Sequence, residues 1–363
     1  MKTSGSISIT HIILLSMTFI GLKNHVTIIP SLISTTGRDA WISVIIATIL
    51  IIPWLYLLIF IQKKLGHLPF RDVVLSNHPK VGKILLYCIA FYLLLMAAMT
   101  MRETVQWVSV TFLSETPVLV LLFSYAIVCI LFAMSPLQSI TIVNTIVLFG
   151  VVVLGFFVAF VNLKVKEYSL LLPIYEHGMT PILKSLMYPA SGFVELLLFV
   201  FISHHFKGKL KFSHLLIMLF LLFSLTIGPL IGAITEFGPA EAATQRYPAF
   251  EEWKLATIGR FIEHLDFLSV YQWLTGAFVR IGFLLFVAIE LLGLAQQKKS
   301  IFETIVPAFI FCTLPLFLLN DSIFIELKGK YFLISTFLFF FILAFILNIL
   351  LRKKTNKKAE KHA

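Results

Sequence analysis

Apolar runs of about 20 residues recur along the chain, separated by short polar loops. A run of that length crosses the hydrocarbon core of a bilayer as one α-helix. The chain is 59% hydrophobic and only 13% charged, so it lacks the polar residues that would cover a water-soluble globule. We therefore predict an all-α integral membrane protein, with one ten-helix domain over residues 1–351 and a basic tail at 352–363. The predicted spans are 7–34, 40–62, 82–110, 117–134, 138–161, 181–204, 213–234, 266–293, 301–319 and 330–351.

The first predicted span carries Gly21, Leu22, Lys23, Asn24 and His25 in its middle. A lysine, an amide and an imidazole are costly in hydrocarbon, but they are tolerated where the backbone unwinds and lines a cavity inside the protein. We predict a helix that is broken at these residues. The alternative is a kinked structural helix whose Lys23 side chain extends toward the membrane surface.

The sixth predicted span is interrupted by the run Tyr188-Pro189-Ala190-Ser191-Gly192. Proline removes a backbone donor and clashes with the preceding turn, and glycine tolerates the resulting geometry. Four spans follow each broken helix, so the chain divides into pseudo-repeats at about 7–161 and 181–351. Because each half has five spans, the second half enters the membrane from the opposite side, which is the inverted-repeat arrangement of many transporters.

Two charged residues lie near the middle of predicted spans, Glu195 in span six and Arg280 in span eight. An unpaired charge there costs several kcal/mol, so each is expected to have a partner. We expect Glu195 to contact Arg280 or Lys23 in a network that links the broken helices to the rest of the bundle. The alternative is a salt bridge that only orders the bundle. Further intramembrane candidates are Glu290 and the pair Arg102 and Glu103.

Basic residues cluster in the loops after spans two, six and eight and in the tail. The positive-inside rule then predicts cytoplasmic N- and C-termini, and Lys207, Lys209 and Lys211 give the strongest local support. The net charge of +11 therefore reflects topology and contact with anionic lipid, and nucleic acid is not an expected partner.

The loop at 235–265 is the longest between predicted spans. Within it, Trp253, Ile258, Phe261 and Ile262 fall near one helical face, which predicts a short amphipathic helix over 251–262 on the outer surface. This helix is expected to cap the cavity or dock a partner. The alternative is a plain connector.

Several sequence features resemble one protein family. They are the run Arg-Tyr-Pro-Ala-Phe-Glu-Glu-Trp at 246–253, Pro30 near the end of span one, and Met-Arg-Glu-Thr at 101–104. This pattern resembles the endospore germination permeases, the B subunits of GerA-type nutrient germinant receptors. The broken first and sixth spans resemble the wider amino acid–polyamine–organocation superfamily with its LeuT-type fold. The resemblance implies a spore inner-membrane protein that binds a small nutrient, often an amino acid, and acts with receptor A and C subunits.

The resemblance also implies where the ligand would lie. In a LeuT-type fold the free peptide groups of the broken helices hold a small zwitterion, and spans three and eight complete the cavity. Lys23 would then hold its ammonium where a cation sits in sodium-dependent relatives, or it forms a static salt bridge. His25 is either a proton-linked switch or an ordinary hydrogen-bonding residue. The residues expected to contact the ligand are Gly21, Leu22, Lys23, Asn24, Tyr92, Met96, Tyr188, Ala190, Ser191, Gly192 and Thr275.

Motifs for catalysis are missing from the sequence, which has no G-x-S-x-G, no Walker A and no H-E-x-x-H. We therefore expect neither enzyme activity nor a cofactor. The adjacent His204 and His205 are interpreted as an interfacial pair, so no metal site is predicted. The leading hypothesis is a ligand-sensing receptor subunit. The alternatives are a proton-coupled amino acid secondary transporter and a structural subunit whose pocket has lost its function.

Overall fold

The computed structural model describes residues 7–259 and 264–351, and these residues form helices connected by short turns. Ile7 and Phe206 add an isolated parallel bridge. In chain order the α-helices are α1 (Ile9–Leu22), α2 (Ile29–Thr36), α3 (Ala40–Leu65), α4 (Phe70–Asn77), α5 (Pro79–Thr111), α6 (Val118–Ala133), α7 (Leu137–Val161), α8 (Met179–Ser185), α9 (Met187–Phe193), α10 (Leu197–Phe201), α11 (Phe212–Phe237), α12 (Pro239–Thr244), α13 (Pro248–Lys254), α14 (Leu268–Leu292), α15 (Lys298–Ser300), α16 (Val306–Leu318), α17 (Asp321–Glu326) and α18 (Leu333–Leu350).

Tighter or wider helical turns join several of these helices. The wider π-helical turns are Lys23–Thr27, Ile301–Ile305 and Leu327–Phe332. The tighter 3-10 turns are Gly37–Asp39, Asn162–Val165, Tyr168–Leu171, Val194–Leu196, Ser203–His205 and Leu265–Phe267.

The chain is a multi-pass membrane protein. In the described part, 8 helical stretches are long and apolar enough to cross a bilayer, and α6 is a shorter apolar helix. One of these stretches, Ile9–Leu65, has 57 residues, about 85 Å if straight, against a hydrocarbon core of about 30 Å. It turns at Gly37, where φ is 58°, and α1 and α3 both pack against α11. The 8 stretches are Ile9–Leu65, Pro79–Thr111, Leu137–Val165, Met179–Phe201, Phe212–Phe237, Leu265–Leu292, Lys298–Leu318 and Asp321–Leu350.

Helix α14 lies at the centre of the bundle and packs against α1, α5, α6 and α7. Two of its glycines allow this close approach. A Cβ on Gly282 would lie 2.4 Å from a ring carbon of Phe132, and one on Gly276 would lie 3.1 Å from Leu22. Small residues at such contacts let membrane helices pack closely where van der Waals contact drives association.

The sequence predicts that the first span unwinds at its polar residues, but the backbone there stays helical. The α-helical winding is interrupted only by a wider, π-helical turn. Helix α1 continues to Leu22, and the π-helical turn Lys23–Thr27 leads into α2. Pro30 supplies the reason. It has no N–H to donate to the carbonyl of Val26 and its ring clashes with that carbonyl, so the winding widens just before the proline.

The sixth span is also interrupted, but not where the sequence predicts it. The residues from Tyr188 to Gly192 are α-helical within α9, and the turn falls at Leu186, between α8 and α9. Pro189 cannot donate to the carbonyl of Ser185, so the lost hydrogen bond displaces the break into the preceding turn. A second change of winding follows at the 3-10 turn Val194–Leu196.

The predicted amphipathic helix over 251–262 is also wrong. Helix α13 ends at Lys254, Ile258 is exposed outside any helix, and Phe261 and Ile262 lie outside the described residues. Trp253 is buried rather than on the surface, and its Nε1 donates a hydrogen bond to Oε1 of Gln272 at 2.9 Å. The loop therefore docks on α14 through a buried tryptophan.

Candidate functional site

Three charged side chains meet in the middle of the bundle. Glu195 is fully buried, and its Oε1 lies 2.9 Å from Nζ of Lys23. Arg280 donates two hydrogen bonds to the same carboxylate, at 2.8 Å to Oε2 and 3.0 Å to Oε1. Lys23 lies in the π-helical turn Lys23–Thr27, Glu195 in the 3-10 turn Val194–Leu196, and Arg280 on α14. The expected pairing of Glu195 is therefore confirmed, and it involves both cations.

Backbone carbonyls hold the two cations in place. Nζ of Lys23 donates to the carbonyl of Ser191 at 2.9 Å, and Nη1 of Arg280 donates to the carbonyl of Phe19 at 2.7 Å. The group thus joins the first and sixth spans, the two helices whose α-helical winding is interrupted, to α14. Two cations and one carboxylate leave it with one formal positive charge, which in a low-dielectric interior favours the approach of a carboxylate.

Side chains of the first span fill the space between the two interrupted helices in this structure. A Cβ on Gly192 would lie only 1.8 Å from Oδ1 of Asn24. Asn24 donates through Nδ2 to Oγ1 of Thr226 at 2.9 Å, while its Oδ1 has no hydrogen-bond partner in the described part of the chain. His25 lies beside this group, with Nδ1 3.3 Å from the carbonyl of Leu225. A ligand between these helices must therefore displace Lys23 or Asn24.

The other residues expected at the ligand have different surroundings. The Tyr92 hydroxyl lies 2.9 Å from Oγ1 of Thr336, and its ring stacks on Phe339 of α18. The Thr275 hydroxyl donates to the carbonyl of Tyr271 in its own helix. The remaining residues are buried or half-buried, and four of them pack in apolar parts of the bundle: Gly21, Leu22, Met96 and Tyr188. Ala190 is buried.

A second buried ion pair was not predicted from the sequence. Lys328 donates to Glu103, which also accepts a hydrogen bond from Thr27 in the first π-helical turn, at 3.0 Å. The sequence placed Lys328 in a loop because the tenth predicted span began at residue 330. The apolar residues just before it, Ile323 to Ile325, were the signal that the helix starts earlier.

Arg102, the neighbour of Glu103 in span three, also pairs with a residue that is distant in the sequence. Arg102 is buried and donates to Asp321 at 2.9 Å, and Arg246 donates to the same carboxylate at 3.1 Å. Arg246 and the adjacent Tyr247 come from the loop before α13, and the Arg246 Nε donates to the Tyr247 hydroxyl at 3.0 Å. This part of the loop is therefore tied to the start of α17.

A carboxyl pair lies where α13 packs against the end of α11. Burial raises the pKa of Glu252 well above its ordinary value of 4.5, and the nearby carboxylate of Glu236 adds to the shift. Glu236 is 3.4 Å from Nζ of Lys166 and accepts a hydrogen bond from Asn162 at 2.9 Å. A buried acid without a cation of its own favours the protonated form.

Comparison with known proteins gives a consistent result over most of the chain. A family model described as "Spore germination protein" matches residues 6–325. The chain is 40% identical over 342 residues to "Spore germination protein XB" of Bacillus anthracis, an alignment that covers 93% of this chain and 95% of that protein. It is also similar to two proteins of Bacillus subtilis (strain 168). Identity is 26% to YfkT, covering 77% of this chain and 76% of YfkT, and 24% to "Spore germination protein A2", covering 68% and 69%. The chain belongs to the spore permease family of spore germination proteins.

Proposed function

We propose that this chain is the ligand-sensing subunit of a nutrient germinant receptor. It would reside in the spore inner membrane with both termini in the cytoplasm and act together with receptor A and C subunits. The observation that carries the proposal is the buried group of Lys23, Glu195 and Arg280, which joins both interrupted helices to α14. A ligand that disturbs this group changes the positions of three structural elements at once, as coupling between a binding site and partner subunits requires.

The chemistry of the group suits an amino acid. The Glu195 carboxylate and the Ser191 carbonyl are acceptors for an ammonium, and Lys23 and Arg280 are donors for a carboxylate. The ligand ammonium would replace Nζ of Lys23 at the Ser191 carbonyl, and the displaced Lys23 would meet the ligand carboxylate. A zwitterion adds no net charge, so this exchange costs less than the entry of a single ion.

We also propose the ten-span, LeuT-type arrangement of two inverted halves. Its support is the interruption of the first span at Lys23–Thr27 and of the sixth span at Leu186, each followed by further apolar helices. In this arrangement α13 and its loop lie on the outer side of the membrane, opposite the basic loop at Lys207 to Lys211.

The proposed ligand-sensing function is tested by the same glycine-to-alanine change at two positions with different surroundings. Gly192→Ala places a methyl group against Asn24, whereas Gly228→Ala on α11 meets no atom within 4 Å. Spores with Gly192→Ala should lose most of their response to a panel of L-amino acids, while Gly228→Ala spores respond normally. Co-purification of the A and C subunits with both variants shows that assembly is intact. A normal response of Gly192→Ala spores would contradict the proposal and favour a structural subunit.

The alternative function is a proton-coupled amino acid transporter, because a lysine in such a buried group is able to exchange its proton as the ligand enters. Uptake of labelled amino acids into proteoliposomes that contain this chain alone distinguishes the two functions. Uptake that depends on a pH gradient would favour the transporter, and its absence in a chain that still binds the ligand favours the receptor.

A further inference from the structure

A cluster of two imidazoles and one carboxylate lies away from the proposed ligand site, at the end of the bundle where the sixth span terminates. His204 and His205 lie in the 3-10 turn Ser203–His205 that follows α10, and Glu290 lies in the last turn of α14. We propose that these three side chains form a binding site for a transition-metal ion of the zinc class.

The separations between the polar atoms carry the proposal. Nε2 of His205 and Nε2 of His204 are 3.4 Å and 3.6 Å from the same Oε2 of Glu290. Good hydrogen bonds of this kind measure about 2.7–3.2 Å, so these contacts are long. Zinc bonds of about 2.0–2.1 Å at tetrahedral angles separate neighbouring ligand atoms by about 3.3–3.4 Å. All three ligand atoms lie within 4.8 Å of one another, which is close enough for one ion to contact all three.

The ligand types and the surroundings also suit a metal. Two histidines and one glutamate hold zinc in sites that keep a fourth position open for water or another ligand. The three side chains are 14–20% exposed, so solvent reaches them in part, and His204 and Glu290 line a small cleft. Nδ1 of His204 has no hydrogen-bond partner in the described part of the chain, so protein hydrogen bonds alone fix this ring weakly. Arg71 lines the same cleft, and its positive charge favours an anion or hydroxide as the fourth ligand.

A metal here would clamp several elements together. The carbonyl of His205 accepts a hydrogen bond from the N–H of Ile7 at 2.9 Å, and the N–H of Lys207 donates to the carbonyl of Ile7 at 2.7 Å. The turn that carries both histidines therefore also holds the start of the first span. Bound metal would fix this end of the first and sixth spans to α14.

The full-length chain, purified in detergent and stripped of metal, provides the test. Titration with Zn²⁺ in a calorimeter should show one site per chain. Loss of one ligand should weaken Zn²⁺ binding by about 100-fold. Loss of a residue that only hydrogen-bonds a metal ligand already weakens binding by about 10–100-fold, so the loss of a ligand should reach at least the upper end of that range. The variants are His204→Ala and Glu290→Gln, and the second keeps the shape of the side chain. With Co²⁺ in place of Zn²⁺, the visible bands of tetrahedral cobalt should appear in the wild type and disappear in both variants.

The control is His177→Ala. His177 is an exposed histidine with Nε2 3.9 Å from a carboxylate oxygen of Glu176, and among the described residues this pair belongs to no group of three metal ligands. Zn²⁺ affinity should be unchanged in this variant. Size-exclusion profiles and helical circular dichroism show that each variant is folded. Two results would overturn the site: no saturable Zn²⁺ binding by the wild type, or unchanged affinity in a folded Glu290→Gln variant.

Discussion

Replacement of Glu195 by glutamine tests the central charge group most directly. The change removes the negative charge between Lys23 and Arg280 and keeps the size of the side chain. The two cations are only 4% exposed and would face each other without a counter-charge. Loss of one partner from a buried ion pair costs about 3–5 kcal/mol, and the repulsion between the two cations adds to this cost.

Lys23→Met is the informative comparison. This variant leaves the two hydrogen bonds between Arg280 and Glu195 intact and makes the group electrically neutral. It removes the hydrogen bonds from Nζ to the Ser191 carbonyl and to Oε1 of Glu195, but Glu195 keeps Arg280 as its counter-charge, so no uncompensated charge is left buried. Lys23→Met should therefore be clearly milder than Glu195→Gln. Glu303→Gln is the control, since that carboxylate is 62% exposed and such surface pairs contribute about 0–1 kcal/mol.

Thermal unfolding in detergent at one fixed heating rate measures the order of stability, with the remaining monodisperse fraction as a second readout. The expected order is Glu195→Gln as the least stable, then Lys23→Met, then Glu303→Gln close to wild type. If Lys23→Met is as unstable as Glu195→Gln, the buried carboxylate is not the counter-charge that holds the group together. The same conclusion follows if Glu195→Gln unfolds at the same temperature as Glu303→Gln.

Two further predictions concern the other ionic groups. Lys328→Met should destabilise the chain by about 3–5 kcal/mol because it leaves Glu103 buried without its cation, whereas Lys330→Met, only two residues away and 68% exposed, should cost less than about 1 kcal/mol. Equal unfolding temperatures for the two lysine variants would contradict this assignment. For Glu252, the folded-state pKa is raised above the ordinary 4.5, so the stability that it contributes is present at low pH and is lost as the pH rises through the raised pKa. The unfolding temperature of Glu252→Gln should therefore depend less on pH than that of the wild type between about pH 5 and pH 8. If the unfolding temperatures of both proteins change equally with pH, Glu252 is not the titrating group.

The fold class and part of the central group could be predicted from the sequence. An apolar run long enough to cross a membrane is a local property, visible without any knowledge of neighbouring helices. Likewise a charge in the middle of such a run needs a partner wherever the chain finds one, so Glu195 was expected to pair with Arg280 or Lys23. The position of each helix break was less accurate, because a proline shifts the lost hydrogen bond into the turn before it.

The order of residues alone is enough to predict a helical membrane protein with polar interruptions in two spans and buried charges that must be neutralised. Which groups meet depends on the folded arrangement of the helices: both cations contact Glu195, Lys328 contacts Glu103, and Glu290 lies beside the two histidines. Lys328 and Glu103 are 225 positions apart in the sequence, and His205 and Glu290 are 85 positions apart. Such proximity depends on how helices cross and approach in three dimensions, and no periodicity within a single helix encodes it.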